Sequence, residues 1–345
     1  MAIVLVVFRT SAFGQMADTV PSKVFADKWE YVGVAVQEPG YTIWGTSPIV
    51  GKDGRIHLFV ARWPCSLKVD PGWRSHSEIA HYVGNKPEGP FLFSDVALQR
   101  DTAATWDKFG LHNPTIHKVD NLYVLLYIAN DNPTQPPHPA NQKIGMATAL
   151  SLGGPWRKVG KDGMILSTPD DANSWNYQSS NGVNNPAFLK HPSGRYFLYF
   201  KSHQAKMGLA MAESLIGPYV QMPFPVTEND KIIEDGYAFM SDGKVQLLTT
   251  DNHGMIEPGA GILWTSTDGI RFENFEKGMH RISDYTQVDL SKVAMHYGPE
   301  SQTYTKAERP QLLIIDGEPR YLYVSSGHNI YGGDCTISYV LKNIN

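Results

Sequence analysis

Two pairs of charged residues stand at the start of short apolar runs late in the chain. They are Glu234-Asp235, before Gly-Tyr-Ala-Phe, and Glu308-Arg309, before Pro-Gln-Leu-Leu. Earlier runs begin with His112-Asn113-Pro, with Asn185-Pro and with Ser47-Pro. Carboxyls gathered in one polar cavity push their proton affinities apart, so one keeps its proton while another is ionised. That is the equipment of general acid–base chemistry. Glu234, Asp235 and Glu308 are therefore the candidate catalytic acids, and a plain ion pair with Arg309 is the competing use of them. His112 is a further candidate, either as a general acid, because a free imidazole titrates near ~6.5 and suits proton transfer, or as a partner for a hydroxyl, with a structural histidine as the competing use. Glu78 is a base only if the loop before it folds inward, since a base must reach its proton. Arg309 either clamps an acidic group or holds a neighbouring acid in its charged form.

Such residues need a scaffold that brings distant segments together, and the sequence repeats one grammar five times. The segments begin at Ser47 (SPIVGKDGRIHLFVAR), Asn113 (NPTIHKVDNLYVLLYIA), Asn185 (NPAFLKHPSGRYFLYFKS), Asp235 (DGYAFMSDGKVQLLTTD) and Arg309 (RPQLLIIDGEPRYLYVSSG). Each is a short strand, a turn rich in Gly, Asp or Asn, and an alternating apolar strand, which is hairpin chemistry. A third strand-like piece follows each hairpin. Three of these pieces end in Gly-Pro-aromatic, at Gly89-Pro90-Phe91, Gly154-Pro155-Trp156 and Gly217-Pro218-Tyr219. A fourth strand is expected after each. The pattern predicts an all-β fold: a five-bladed β-propeller with four-stranded antiparallel blades around a central funnel. Proline has no N–H for a ladder and belongs at a strand's first residue, so the polar residue before it faces the funnel.

The turns between first and second strands (KDGR, KVDN, HPSGR, SDGK, DGEP) are tight, and that face is mechanical. The opposite face carries long loops such as RWPCSLKVDPGWRSHS, STPDDANSWNYQSSNGVNN and TDNHGMIEPGAG. Long irregular loops on a compact domain commonly carry function. Aromatic platforms beside planar polar groups suit sugar rings, with their apolar faces and many hydroxyls. Trp44 is a candidate stacking platform, with core packing as its other use. Ser47, Arg74, His76, Asn113, Asn185 and Arg309 are candidate substrate contacts.

The chain has 345 residues, 42% of them hydrophobic and 19% charged, so a substantial core can form. The net charge of −4 shows no basic footprint for nucleic acid. No segment reaches the ~20 apolar residues of a membrane span. AIVLVVF followed by SAFGQ resembles the end of a secretory leader cut before Gln15. The expectation is a leader over 1–14 and one propeller domain over 15–345, secreted or periplasmic. Cys65 and Cys335 either pair or remain thiols, and neither has zinc-site spacing.

With these segments in place, residues 40–342 resemble the five-bladed propeller glycoside hydrolases of families 43, 62, 32, 68, 117 and 130. The resemblance rests on the blade grammar, the Gly-Pro-aromatic ends and the Glu234-Asp235 pair. It is nearest to bacterial members grouped with families 43 and 117, where WRSHSEIAHYV-like, HNPTIHK-like and ERPQLL segments recur. It implies carboxylate acid–base cleavage of a glycosidic bond. Family 43 members invert, and they use Asp, Asp and Glu at the starts of the first three blades. Ser47, Asn113 and Asn185 stand at those places here, and none can act as a base. Family 117 uses a fourth-blade Asp, matched by Asp235, and a late Glu and His, to which Glu308 and His296 are candidate matches. Some relatives hold calcium in the channel, which Asp235 could join; no cofactor and no metal site is expected. The function expected is an exo-acting, inverting hydrolase taking a terminal sugar from an oligo- or polysaccharide. The alternatives are a non-catalytic carbohydrate-binding propeller, a phosphorylase with a cationic pocket, or a protein scaffold. The oligomeric state is left open.

Overall fold

A computed structural model describes residues 24–132, 142–180, 182–293 and 304–345. The expected leader and His296 lie outside them. Five antiparallel sheets form the blades of a propeller. Blade one holds Tyr41–Val50, Ile56–Pro64, Glu78–Gly84 and Phe91–Leu98. Blade two holds Phe109–Val119, Leu122–Asn130 and Lys143–Ala149, and its outer edge is broken into Arg157–Lys158 and Met164–Leu166. Blade three runs from Asn184–Lys190 through Tyr196–Lys201 and Met207–Ala212 to Val220–Gln221. Blade four holds Ile233–Ser241, Lys244–Asp251, Ala260–Ser266 and Asn274–Met279. Blade five holds Glu308–Ile315, Glu318–Ser325 and Ser338–Asn343. Its outermost strand is Trp29–Val36, from the other end of the chain. The inner strands touch one another in ring order, and blade five packs against blade one.

The second strands are not half-exposed. Tyr196–Lys201 (YFLYFK) is buried at every position. Each blade packs against a neighbour on both faces, so a middle strand has no solvent side to alternate toward. Successive blades share five apolar cores, around Phe59 and Leu125, Val124 and Leu198, Tyr199 and Leu247, Leu248 and Leu322, and Val60 and Tyr323. Burial of this kind stabilises by roughly 25 cal/mol per Å² of apolar surface. A disulfide joins Cys65, after blade one's second strand, to Cys335 in blade five, with Cα atoms 5.2 Å apart.

One local device recurs at the top of all five inner strands. Strand register breaks between Trp44 and Ser47, His112 and Thr115, Asn184 and Ala187, Glu234 and Tyr237, and Glu308 and Gln311. Each break is a bulge of two unpaired residues. The first of the two lies in the left-handed region: Gly45 (φ 62°), Asn113 (49°), Asn185 (53°), Asp235 (61°) and Arg309 (52°). In a regular strand, successive side chains face opposite ways. The bulge re-aims them, so both Glu234 and Asp235 reach the same cavity. It also corrects the repeat: the blade-one equivalent of Asn113 is Gly45, and Ser47 lies two residues deeper.

Candidate active site

The cavity at the mouth of the ring has a volume of about 420 Å³, large enough for a sugar-sized ligand. Its floor comes from the bulges: His112, Asn113, Asn184, Asn185, Glu234, Asp235 and Glu308. Its walls come from the ends of second strands (Trp63, Lys201) and from the kinked helical segment Val69–Ser75.

Arg309 lies below the cavity on the axis and is fully buried. Its Nη2 donates to the Asn113 carbonyl at 2.9 Å and lies 3.5 Å from the carbonyls of Pro114 and Pro186. Its Nη1 is 3.9 Å from Asp235 Oδ1. A Cβ on Gly45 would sit 3.4 Å from Arg309 Cγ. This one side chain therefore meets all of the other four blades, which explains why a non-glycine, non-Asx residue is held in the costly left-handed region.

Asn113 Nδ2 donates to Asn185 Oδ1 at 2.7 Å and lies 3.5 Å from Asp235 Oδ1. Burial raises the Asp235 carboxyl to about 7, helped by the charge of Glu234 and opposed by Arg309. Burial also raises Glu308 to about 7, against the pull of Lys306. Glu234 goes the other way: burial pushes it up, but Lys201 in direct contact more than offsets this and holds it below the usual glutamate value. Its second oxygen accepts from Asn252 Nδ2. The cavity thus pairs one ionised carboxylate with two acids that give up their protons only around neutral pH.

The aromatic wall is built from blade one. His112 lies 5.5 Å from Trp63 and 5.2 Å from the half-exposed Trp73, with Ser77 Oγ 3.1 Å from its Nδ1. Burial and then Arg309 depress the imidazole to about 3. His112 is therefore neutral in the working range and is suited to bonding a hydroxyl, not to serving as a charged proton donor. Arg74 bonds Asp70 through Nη2 at 2.7 and 2.8 Å and stacks on Trp73 at 4.9 Å.

A search of solved structures finds this architecture in carbohydrate enzymes. A family 117 glycoside hydrolase of the marine bacterium Zobellia galactanivorans superposes with TM-score 0.65 at 15% identity, over 91% of this chain and 90% of that one. A family 43 β-xylosidase/α-arabinofuranosidase from a compost metagenome, in complex with xylotriose, gives 0.58 at 13% identity, over 91% and 94%. A family 43 enzyme of Xanthomonas citri gives 0.59 at 12%, over 90% of each chain. The fold is that of the five-bladed glycoside hydrolases. No protein-family profile and no curated protein matches the sequence itself.

Within this glycoside hydrolase fold, the cavity gathers Glu234, Asp235, Glu308, His112, Trp44, Arg74, Asn113 and Asn185. Four other candidates stand outside its lining. Glu78 is held by Arg62 at 2.9 Å, and Arg62 also bridges Glu38 at 2.6 Å, so the loop does not carry Glu78 inward. Ser47 Oγ donates to Gln311 at 3.0 Å beneath the bulge. His76 is exposed and bonded to Ser75. Arg309 supports the floor from below.

Lys201, Trp63, Trp73 and Asn252 were not legible as site residues. A lysine closing the apolar run YFLYFK on the loop-bearing face was the available signal for Lys201. For calcium the fit is poor, because a guanidinium already stands beside Asp235 and would repel a divalent cation. Among the described residues, Glu257, His280 and Asp284 cluster elsewhere, with Glu257 already bridged by Lys277 at 2.7 Å and by Arg281. A larger depression of about 910 Å³ lies at the tight-turn ends of blades one and two, around His57 and His81, away from the acids.

Proposed function

We propose that the protein is a glycoside hydrolase removing a terminal sugar from an oligo- or polysaccharide with inversion. The observation that carries the reading is the convergence of three carboxyls from two blades on one cavity faced by an aromatic wall. Glu308, buried and protonated near neutrality, is the general acid that protonates the leaving oxygen. Glu234 is the general base. Both of its oxygens are engaged, by Lys201 and Asn252, which suits accepting a proton from water better than attacking a sugar carbon. Asp235, on the Arg309 pin, is a second proton-bearing group that bonds the sugar beside Asn113 and Asn185. Arg309 closes the cavity from below, which favours binding a chain end. The disulfide supports an oxidising compartment, outside the cell or in the periplasm. Among the described residues no helix is long and apolar enough to cross a membrane.

The test is an oligosaccharide and aryl-glycoside panel run with Glu308→Gln and Glu234→Gln. On natural linkages both variants lose roughly 10²–10⁴-fold in rate. On a dinitrophenyl glycoside, whose leaving group needs no proton, Glu308→Gln recovers and Glu234→Gln does not. Asn113 and Asn185 stand where family 43 relatives place acids, and they favour a carbohydrate-binding propeller as the second reading. Sugar binding by the unaltered protein without any cleavage would select that reading instead.

A further inference from the structure

Lys306 stands two residues before Glu308, at the rim of the cavity. Its ammonium donates to Asn252 Oδ1 at 3.2 Å and lies 4.0 Å from Glu308 Oε1. It is bonded to a neutral acceptor while an acid waits just outside hydrogen-bond range. Asn252, through its other atom, donates to Glu234. A single amide thus joins the cation of one carboxyl to the carboxylate of the other. Gly259 leaves room for the lysine stem, since a Cβ there would sit 2.9 Å from Lys306 Cγ.

We propose that Lys306 is a travelling counter-ion, resting on Asn252 while Glu308 keeps its proton and moving onto Glu308 when that proton has been given away. This rests on the hydrolase reading for the fate of the proton. In the acid step the Glu308 O–H bond breaks, and the proton passes to the leaving oxygen as its bond to the sugar carbon breaks. The carboxylate left behind attracts the ammonium. A movement of about 1 Å closes the gap to the length of a charge-assisted hydrogen bond. The other groups bearing on Glu308 are the Gly327 N–H, 3.3 Å away, and the carboxyls of Glu234 and Asp235. Glu234 in turn feels Lys201, Lys306 and His253. When Glu308 recovers a proton, Lys306 returns to Asn252, and the site is reset.

The experiment measures the Glu308 titration directly, by NMR of protein carrying ¹³C-carboxyl glutamate, with the signal assigned by its loss in Glu308→Gln. The basic limb of the pH–rate profile is recorded in parallel. Lys306→Met removes the cation and moves the titration and the basic limb up by roughly 1–3 pH units. Lys306→Arg keeps both near their original position. Asn252→Ala removes this resting partner, shifts Lys306 toward Glu308 and moves the titration down. The opposite signs separate this role from general damage to the fold. An unmoved titration in Lys306→Met, or an upward movement in Asn252→Ala, overturns the proposal. If the titrations move as stated while no glycoside is cleaved, the counter-ion stands and the hydrolase reading falls. If cleavage is seen with unmoved titrations, the reverse holds.

Discussion

The sharpest consequence of the cavity is that one of its buried acids destabilises the fold that holds it. Glu308 is buried, and its carboxyl sits at about 7 instead of the ordinary 4.5. Each tenfold change in proton affinity is worth ~1.4 kcal/mol, so the charged form costs the folded state about 3 kcal/mol. The folded state binds this proton more tightly than the unfolded chain does. Stability therefore falls as pH rises from about 4.5 to about 7, and is flat for this group above that. Glu308→Gln keeps the shape and an acceptor for the Gly327 N–H, but carries no charge. Urea unfolding of both proteins at pH 4.5 and pH 8 isolates the effect, since titrating groups that do not interact with Glu308 cancel in the difference. The glutamine variant gains about 3 kcal/mol relative to the unaltered protein on going from pH 4.5 to pH 8. A difference that stays level across pH, or a variant less stable at pH 8, refutes the assignment of a proton-bearing acid at this position.

Two other tests probe the frame. Arg309→Met strips donors from buried carbonyls and, at pH 8 where Asp235 has lost its proton, leaves that carboxylate without its cation; breaking such a buried pair costs roughly 3–5 kcal/mol. Urea unfolding measures this, and adding Asp235→Asn recovers part of the loss; a single variant of unaltered stability would contradict the axial role. Cys65→Ser releases a link between residues 270 apart in sequence and lowers stability by roughly 2–5 kcal/mol. Thiol reductant lowers the urea midpoint of the unaltered protein similarly, and an unchanged midpoint in both argues that the bond contributes nothing.

The blades were legible because hairpin turns and apolar runs are local signals, and Gly-Pro-aromatic ends mark the third strands. Glu234, Asp235 and Glu308 were legible because charge at the head of an apolar strand is conspicuous. The bulge was not. Gly45 carries no side chain to advertise it, so Ser47, the residue before the proline, was aligned with Asn113 in its place. Glu78 looked like a base because its partner Arg62 belongs to another strand, and only three-dimensional register shows the pair. For His112 the choice between proton transfer and bonding a hydroxyl was not legible, because sequence does not display the burial that depresses its imidazole. The outer strand of blade five was hidden for a related reason, since Trp29–Val36 finds its partner at the far end of the chain.

That last pairing has a consequence for how the molecule is made. Trp29–Val36 leaves the ribosome long before the strand it must join, Ser338–Asn343, has been translated. Throughout synthesis an apolar ribbon with open hydrogen-bonding edges waits without its mate, the state in which strands mispair with strangers. A nonsense codon before Ser338 would therefore do its harm some three hundred residues upstream, by orphaning Trp29–Val36.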